Sequence, residues 1–185
     1  MVYKPQIDQK IKYIHHHLEH VKSITDKINE GQDEISLFAN IHAFFWECRS
    51  ILELVAQEVY EKKGDKSDKC KFFTAYDQYL KENRNISYTH EKRAEYDKDK
   101  ENSLLFYLNE YRNAISHKNI PGKSISVALP EGIIKFKPHR FNKTTGLFDT
   151  PWKDMTWEKL LSNILEMTIK IKEECYDFVI KDENL

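Results

Sequence analysis

Four stretches of this sequence carry apolar residues at alternating steps of four and three, a spacing that suits amphipathic helices packed side by side. The first reads Ile7, Ile11, Ile14, Leu18, Val21, Thr25, Ile28 and ends at Gly31. The second follows Asp33, a residue suited to capping a helix, and reads Phe38, Ile41, Phe45, Cys48, Leu52, Val55, Val59 before "KKGDKSDK" interrupts it. The third is shorter, Leu104, Leu108, Tyr111, Ile115; the fourth runs Trp157, Leu161, Ile164, Thr168, Ile171, Cys175, Phe178. None is long enough for an extended coiled coil, so the pattern predicts an all-α bundle of four to five helices. Between the second and third stripes, "KFFTAYDQYL" reads as a short extra helix. Lys81 to Ser103 is polar, lacks apolar periodicity, and reads as a loop or a solvated helical extension.

One segment breaks the helical pattern. In "SISVALPEGIIKFKP" the apolar residues alternate at Ile125, Val127 and Leu129, a Pro130-Glu131-Gly132 turn follows, and Ile134 and Phe136 resume the alternation, which predicts a β-hairpin before the last helix. From Lys118 to Phe148, six basic residues (Lys118, Lys123, Lys135, Lys137, Arg140, Lys143) face the single acid Glu131, a local net charge of +5. The reading is therefore one domain, 1–185, with residues 118–150 as a basic β-hairpin insertion.

Over the whole chain of 185 residues the net charge is −1, so a claim on polyanions has to be local. No apolar run approaches the roughly 20 residues of a membrane span, and the start of the chain lacks a signal-peptide pattern, which predicts a cytoplasmic protein without a membrane partner. Cys48, Cys70 and Cys175 are widely spaced and form no C-x-x-C pair, so they read as buried free thiols. His16 and His20 share a helical face without a nearby third ligand and read as solvent-facing, and Trp46, Trp152 and Trp157 read as packing groups. No phosphate-binding glycine loop, Ser/His/Asp order or HExxH motif occurs, and neither metal nor cofactor is expected.

The chemistry concentrates in "YRNAISHKN", residues 111–119. At 100° per residue, Leu104, Leu108, Tyr111 and Ile115 share one face of the third helix, while Asn109, Arg112, Asn113, Ser116 and His117 fall together on another. Asn113 lies one turn from His117 and is placed to orient its imidazole. A permanently charged guanidinium that grips phosphate oxygens, beside a group that titrates near neutral pH, is what metal-free cleavage of RNA requires. A second pair with similar spacing, Arg84 and His90 in "RNISYTH", lies in the unpatterned polar stretch and ranks below the first.

With Arg112, the polar Asn113 and His117 in this order, the chain resembles the HEPN superfamily (higher eukaryotes and prokaryotes nucleotide-binding). These are small helical bundles in which arginine, usually a polar residue, and then histidine after four to six intervening positions form a ribonuclease motif. "FFWECRSILELVAQE" is similar to that family's second core helix. The resemblance implies a homodimer that places two copies of the motif helix across one cleft and cuts RNA without metal or cofactor. It also implies membership of the toxin–antitoxin or phage-defence proteins, with a cognate antitoxin or nucleotidyltransferase as a partner. Arg112 and His117 are then the catalytic candidates, with Asn113, Ser116, Asn109 and Glu47 in orienting or supporting roles and Lys118, Lys135, Lys137, Arg140 and Lys143 as RNA contacts. The alternative is a non-catalytic module of the same type that binds a nucleotide, RNA or a partner protein.

Overall fold

The computed structural model describes residues 2–25, 32–65, 71–117, 126–128, 134–136, 138–152 and 154–181; the backbone alone is described for 25, 32–34, 112–117, 126–128, 134–136, 149–151 and 180–181. Two long helices, α1 (Lys4–Thr25) and α2 (Gln32–Lys62), follow the first two apolar stripes. They lie antiparallel. The Tyr3 N–H donates to Glu58 Oε1 at 2.6 Å near one end, Lys10 Nζ meets Glu47 Oε2 at 2.7 Å in the middle, and His17 Nδ1 lies 3.0 Å from Asn40 Oδ1 toward the other. Because α2 begins at Gln32, Asp33 stands in its first turn and not at the cap.

The extra helix expected over "KFFTAYDQYL" is present as α3 (Phe72–Ala75), which continues into a π-helical turn, Tyr76–Leu80, closed by the Lys81 N–H on Tyr76 O at 2.9 Å. The polar stretch that follows is a loop only at its two ends, residues 81–86 and 99–103, and is not an extension of the next helix. It forms α4 (Ser87–Lys98), separated from α5 (Leu104–His117) by residues 99–103. Its start has no side-chain cap of its own. The Glu174 carboxylate, far along the chain in α6 (Trp157–Lys181), supplies one: Oε1 accepts the Tyr88 N–H at 3.0 Å, and Oε2 accepts the Thr89 N–H and hydroxyl, both at 2.7 Å. The inward face of α4 is aromatic and cationic. The Arg93 guanidinium lies over the rings of Phe73, Tyr76 and Tyr96 at 5.2, 5.9 and 5.3 Å, a packing that aliphatic periodicity does not register.

Two small antiparallel hairpins precede α6. The expected one is β1 (Ser126–Ala128) with β2 (Ile134–Phe136), in which Val127 pairs with Lys135. A second, β3 (His139–Asn142) with β4 (Leu147–Pro151), turns at Asn142, whose Oδ1 accepts the Thr144 N–H at 2.9 Å, and at Gly146, where φ is +69°. This second hairpin is a packing element. Phe141 meets Phe106 of α5 at 4.9 Å, and Phe148 meets Tyr107 and Tyr111 at 5.0 and 5.4 Å.

The helices and Phe148 share one hydrophobic core centred on α2. Cys48 and Cys175 are buried free thiols within it, and burial pushes both up, Cys175 to about 12; Cys70 lies outside the described residues. No helix among the described residues is long and apolar enough to cross a membrane. Since charge-assisted hydrogen bonds contribute about 1.5–3 kcal/mol each before losses elsewhere, Glu174→Ala is expected to destabilise the protein by about 2–3 kcal/mol, a fall of roughly 4–12 °C in Tm. The exposed neighbour Glu173→Ala is expected to stay within about 0.5 kcal/mol of the parent. Thermal unfolding of the two variants checks both.

Candidate functional site

Ring contacts set the direction of α5 against α2. Phe45 lies against Tyr107 and Tyr111 at 5.7 and 4.8 Å, and Phe38, two turns earlier on α2, reaches Tyr111 through Trp157 (6.5 and 5.9 Å). In the other direction, Arg49 lies 5.5 Å over Phe73, which meets Tyr96 at 4.6 Å, which meets Phe106 at 5.3 Å. Ascending α2 therefore means descending α5. The turn of α5 that follows Tyr111, and carries Arg112, stands level with Phe38 and His42.

Arg112, Asn113, Ser116 and His117 all belong to α5, whose helical backbone continues through His117; their side chains lie outside the described residues. Asn109 begins the same polar arc one turn earlier, and it is a brace. Buried at 9% exposure, it donates through Nδ2 to Tyr96 Oη at 3.3 Å and to Glu110 Oε1 at 2.8 Å, pinning α4 onto α5. Burial first, and then the Glu110 charge, raise the pKa of the Tyr96 phenol, so it stays protonated as the link between them. Glu47 is corrected more sharply. It stands two residues, or 200° of helix, from the Phe45 that packs on α5, and its carboxylate pairs with Lys10 of α1, facing away from the motif.

The second arginine–histidine pair is separated and used otherwise. His90 lies on α4 with both ring nitrogens engaged: Nε2 is 2.6 Å from the carbonyl oxygen of Asn83 and Nδ1 is 2.6 Å from Tyr76 Oη. A carbonyl only accepts, so Nε2 carries the proton and Nδ1 accepts from the phenol. The imidazole is a fixed bridge between the π-helical turn and the loop before α4, with neither nitrogen left for substrate, while Arg84 is exposed in that loop.

Of the proposed RNA contacts, Lys135 lies on β2, Arg140 is half-buried on β3, and Lys143 is exposed in the β3–β4 turn, where its N–H meets Glu101 Oε1 at 3.4 Å. Lys118, Lys123 and Lys137 lie outside the described residues. His16 and His20 are exposed with rings 4.5 Å apart, and among the described residues no three metal-ligating side chains are grouped.

Two residues of α2 bear on this seam and escape sequence reasoning. His42 is half-buried, its Nε2 is withdrawn from water without a hydrogen-bond partner, and desolvation lowers its affinity for protons. Trp46, one turn further on, is 51% exposed, contrary to its reading as a packing group; Trp157 is buried and Trp152 packs against the core. The sequence signal for both was position: each lies off the apolar stripe of α2.

No family model, curated protein or solved structure matches this chain.

Because His90 makes two part-buried hydrogen bonds, His90→Ala is expected to cost about 1–3 kcal/mol in stability. The same variant is expected to leave any RNA cleavage by the folded protein within a few-fold of the parent. Thermal melting and an initial-rate measurement below the variant's Tm check the two halves.

Proposed function

We propose that the chain is a metal-independent endoribonuclease of HEPN type whose chemistry is carried by Arg112 and His117 at the end of α5. One observation carries this choice: the alternative histidine, His90, has both nitrogens committed within the fold, while α5 continues as regular helix through the arginine and the histidine. On a helix a spacing of five positions holds two side chains in a set relation to each other, which proton transfer to a phosphodiester requires.

In this reading, Arg112 holds two phosphate oxygens with its planar fork and offsets charge that builds on phosphorus. The ribose 2′-oxygen attacks phosphorus and loses its proton to a base; the P–O5′ bond breaks, and the departing 5′-oxygen takes a proton. His117 serves one of these two transfers and its copy in a second protomer the other, leaving a 2′,3′-cyclic phosphate and a 5′-hydroxyl. Asn113 orients the imidazole, and Ser116 shares the polar arc. The homodimer, the RNA-tracking role of Lys118, Lys135, Lys137, Arg140 and Lys143, and a cognate antitoxin or nucleotidyltransferase partner within a toxin–antitoxin or phage-defence system all belong to this proposal. The local charge of +5 from Lys118 to Phe148 supports the RNA-tracking role.

The test is cleavage of a single-stranded RNA in EDTA. His117→Ala is expected to lower the rate roughly 10²- to 10⁴-fold with Tm near that of the parent. Arg112→Lys is also expected to be poor, since an ammonium does not reproduce the fork. Equal rates in parent and His117→Ala contradict the assignment. In binding assays, Lys135→Gln with Lys137→Gln is expected to flatten the slope of log affinity against log salt by up to about 1.4, the release of two counterions from a single strand. An unchanged slope removes the hairpin from the RNA path.

A further inference from the structure

A cleft of about 310 Å³ lies where the end of α2, the π-helical turn, the loop before α4 and the C-terminal part of α6 meet. Its lining includes no residue of α5, so it stands apart from the site proposed there. The volume falls at the lower end of the roughly 300–1,000 Å³ of small-molecule sites, which suits a metabolite.

The rim is held in place. His90 Nε2 donates to the Asn83 carbonyl at 2.6 Å while Nδ1 accepts from Tyr76 of the π-helical turn, so the bridge that takes His90 away from catalysis positions the edge of this cleft. Asn83 Oδ1 in turn accepts the Asn85 N–H at 2.9 Å. At the π-helical turn, a kind of irregularity frequent at functional sites, Tyr79 donates its hydroxyl to Asp65 Oδ2 at 2.7 Å and sets its ring edge-to-face with Tyr60 at 5.3 Å.

Charge in the lining is of both signs. The Lys63 ammonium lies 5.0 Å over the Phe178 ring, and Glu82 and Asp177 bring two carboxylates. One cation against two carboxylates is the wrong balance for a nucleotide, whose phosphates need an excess of positive charge. It complements a molecule with one carboxylate and two separate cationic groups. The Glu82 carboxylate and the Asn85 carboxamide have no side-chain partner among the described residues, so both are open to such a molecule. The aromatic wall favours a planar cation: a guanidinium stacks on rings and presents five donors, whereas an ammonium is a compact, strongly hydrated point charge.

We infer that this cleft binds free arginine. The guanidinium lies against the Tyr79 ring, paired with Glu82 and donating to the Asn85 carboxamide oxygen; the α-carboxylate meets Lys63 and the α-ammonium meets Asp177.

The experiment is isothermal titration calorimetry of the full chain at fixed ionic strength with four probes: L-arginine, L-citrulline, agmatine and the peptide Ala-Ala-Ala-Arg. Arginine is expected to bind saturably at one site per chain. Citrulline, whose ureido group keeps the shape without the charge, and agmatine, which lacks the carboxylate, are each expected to bind about 10-fold more weakly or worse. Glu82→Gln, an exposed substitution, is expected to weaken arginine about 3- to 10-fold with Tm unchanged, and Asn85→Ala to weaken it less. Absence of saturable heat with arginine overturns the inference, as does citrulline binding equal to arginine. Arginine affinity unchanged in both Glu82→Gln and Asn85→Ala places the binding elsewhere and also overturns it. The peptide, in which the α-ammonium is replaced by an amide, is expected to bind more weakly than arginine; equal or tighter binding reassigns the cleft to the arginine end of a protein chain and overturns the free amino acid as its ligand.

Discussion

The stacked pair Tyr107 and Tyr111 sets where α5 sits, and with it the turn that carries Arg112. Their rings are 5.1 Å apart and 15° from parallel, and they are gripped by Phe45 of α2, Phe148 of β4 and Trp157 of α6. Each aromatic pair adds about 0.5–1.5 kcal/mol beyond the area it buries. Three elements closing on two consecutive turns leave α5 little freedom to slide or rotate. Burial this complete raises the pKa of both phenols and leaves the Tyr107 hydroxyl buried without a hydrogen-bond partner, a cost of about 1–3 kcal/mol that the surrounding ring contacts offset.

A second brace holds the opposite side of α5, and it depends on a longer chain of contacts. Asn109 and Glu110 fasten the helix to Tyr96 of α4. The start of α4 is in turn capped by Glu174 of α6, while Arg93, sandwiched among aromatic rings, holds α4 to α3. Orientation of the motif turn thus rests on apolar packing toward the core and on hydrogen bonding toward α4. These respond differently to substitution: loss of Glu174 loosens α4, whereas loss of a core ring loosens α5 itself.

The four apolar stripes made the bundle legible, because burial against a single core imposes one period along each helix. Where burial takes another form the stripes are silent. α4 keeps only Thr89 fully inside and faces its neighbours with Tyr88, Arg93 and Tyr96, and its cap comes from a residue 85 positions away, so nothing local announces it. The β3–β4 hairpin escaped for a related reason: its inward residues, Phe141 and Phe148, pair with each other next to a register shift between Arg140 and Phe141, which breaks a clean alternation. At the candidate site, spacing sufficed to place Arg112 and His117 on one helix but not to rank them against Arg84 and His90. The second pair ranks lower in the sequence for want of apolar patterning around it, whereas the structure sets His90 on a regular helix with both ring nitrogens in hydrogen bonds. Glu47 was legible as lying off the apolar stripe, but an off-stripe position does not tell α1 from α5. Asn109 was legible as polar-faced, but its partner Tyr96 lies on the helix that sequence could not find.

If Arg112 and His117 direct attack by the ribose 2′-oxygen, cleavage depends on that single atom of the substrate. The direct measurement is a single-stranded RNA, its cleavage position first mapped in EDTA, then resynthesised with one 2′-deoxy nucleotide at the 5′ side of that position. Cleavage there is expected to disappear while other positions persist, and the parent RNA is expected to yield a 2′,3′-cyclic phosphate and a 5′-hydroxyl, read by mass spectrometry. Undiminished cleavage at the deoxy position, or products ending in a 5′-phosphate and a 3′-hydroxyl, would contradict the account.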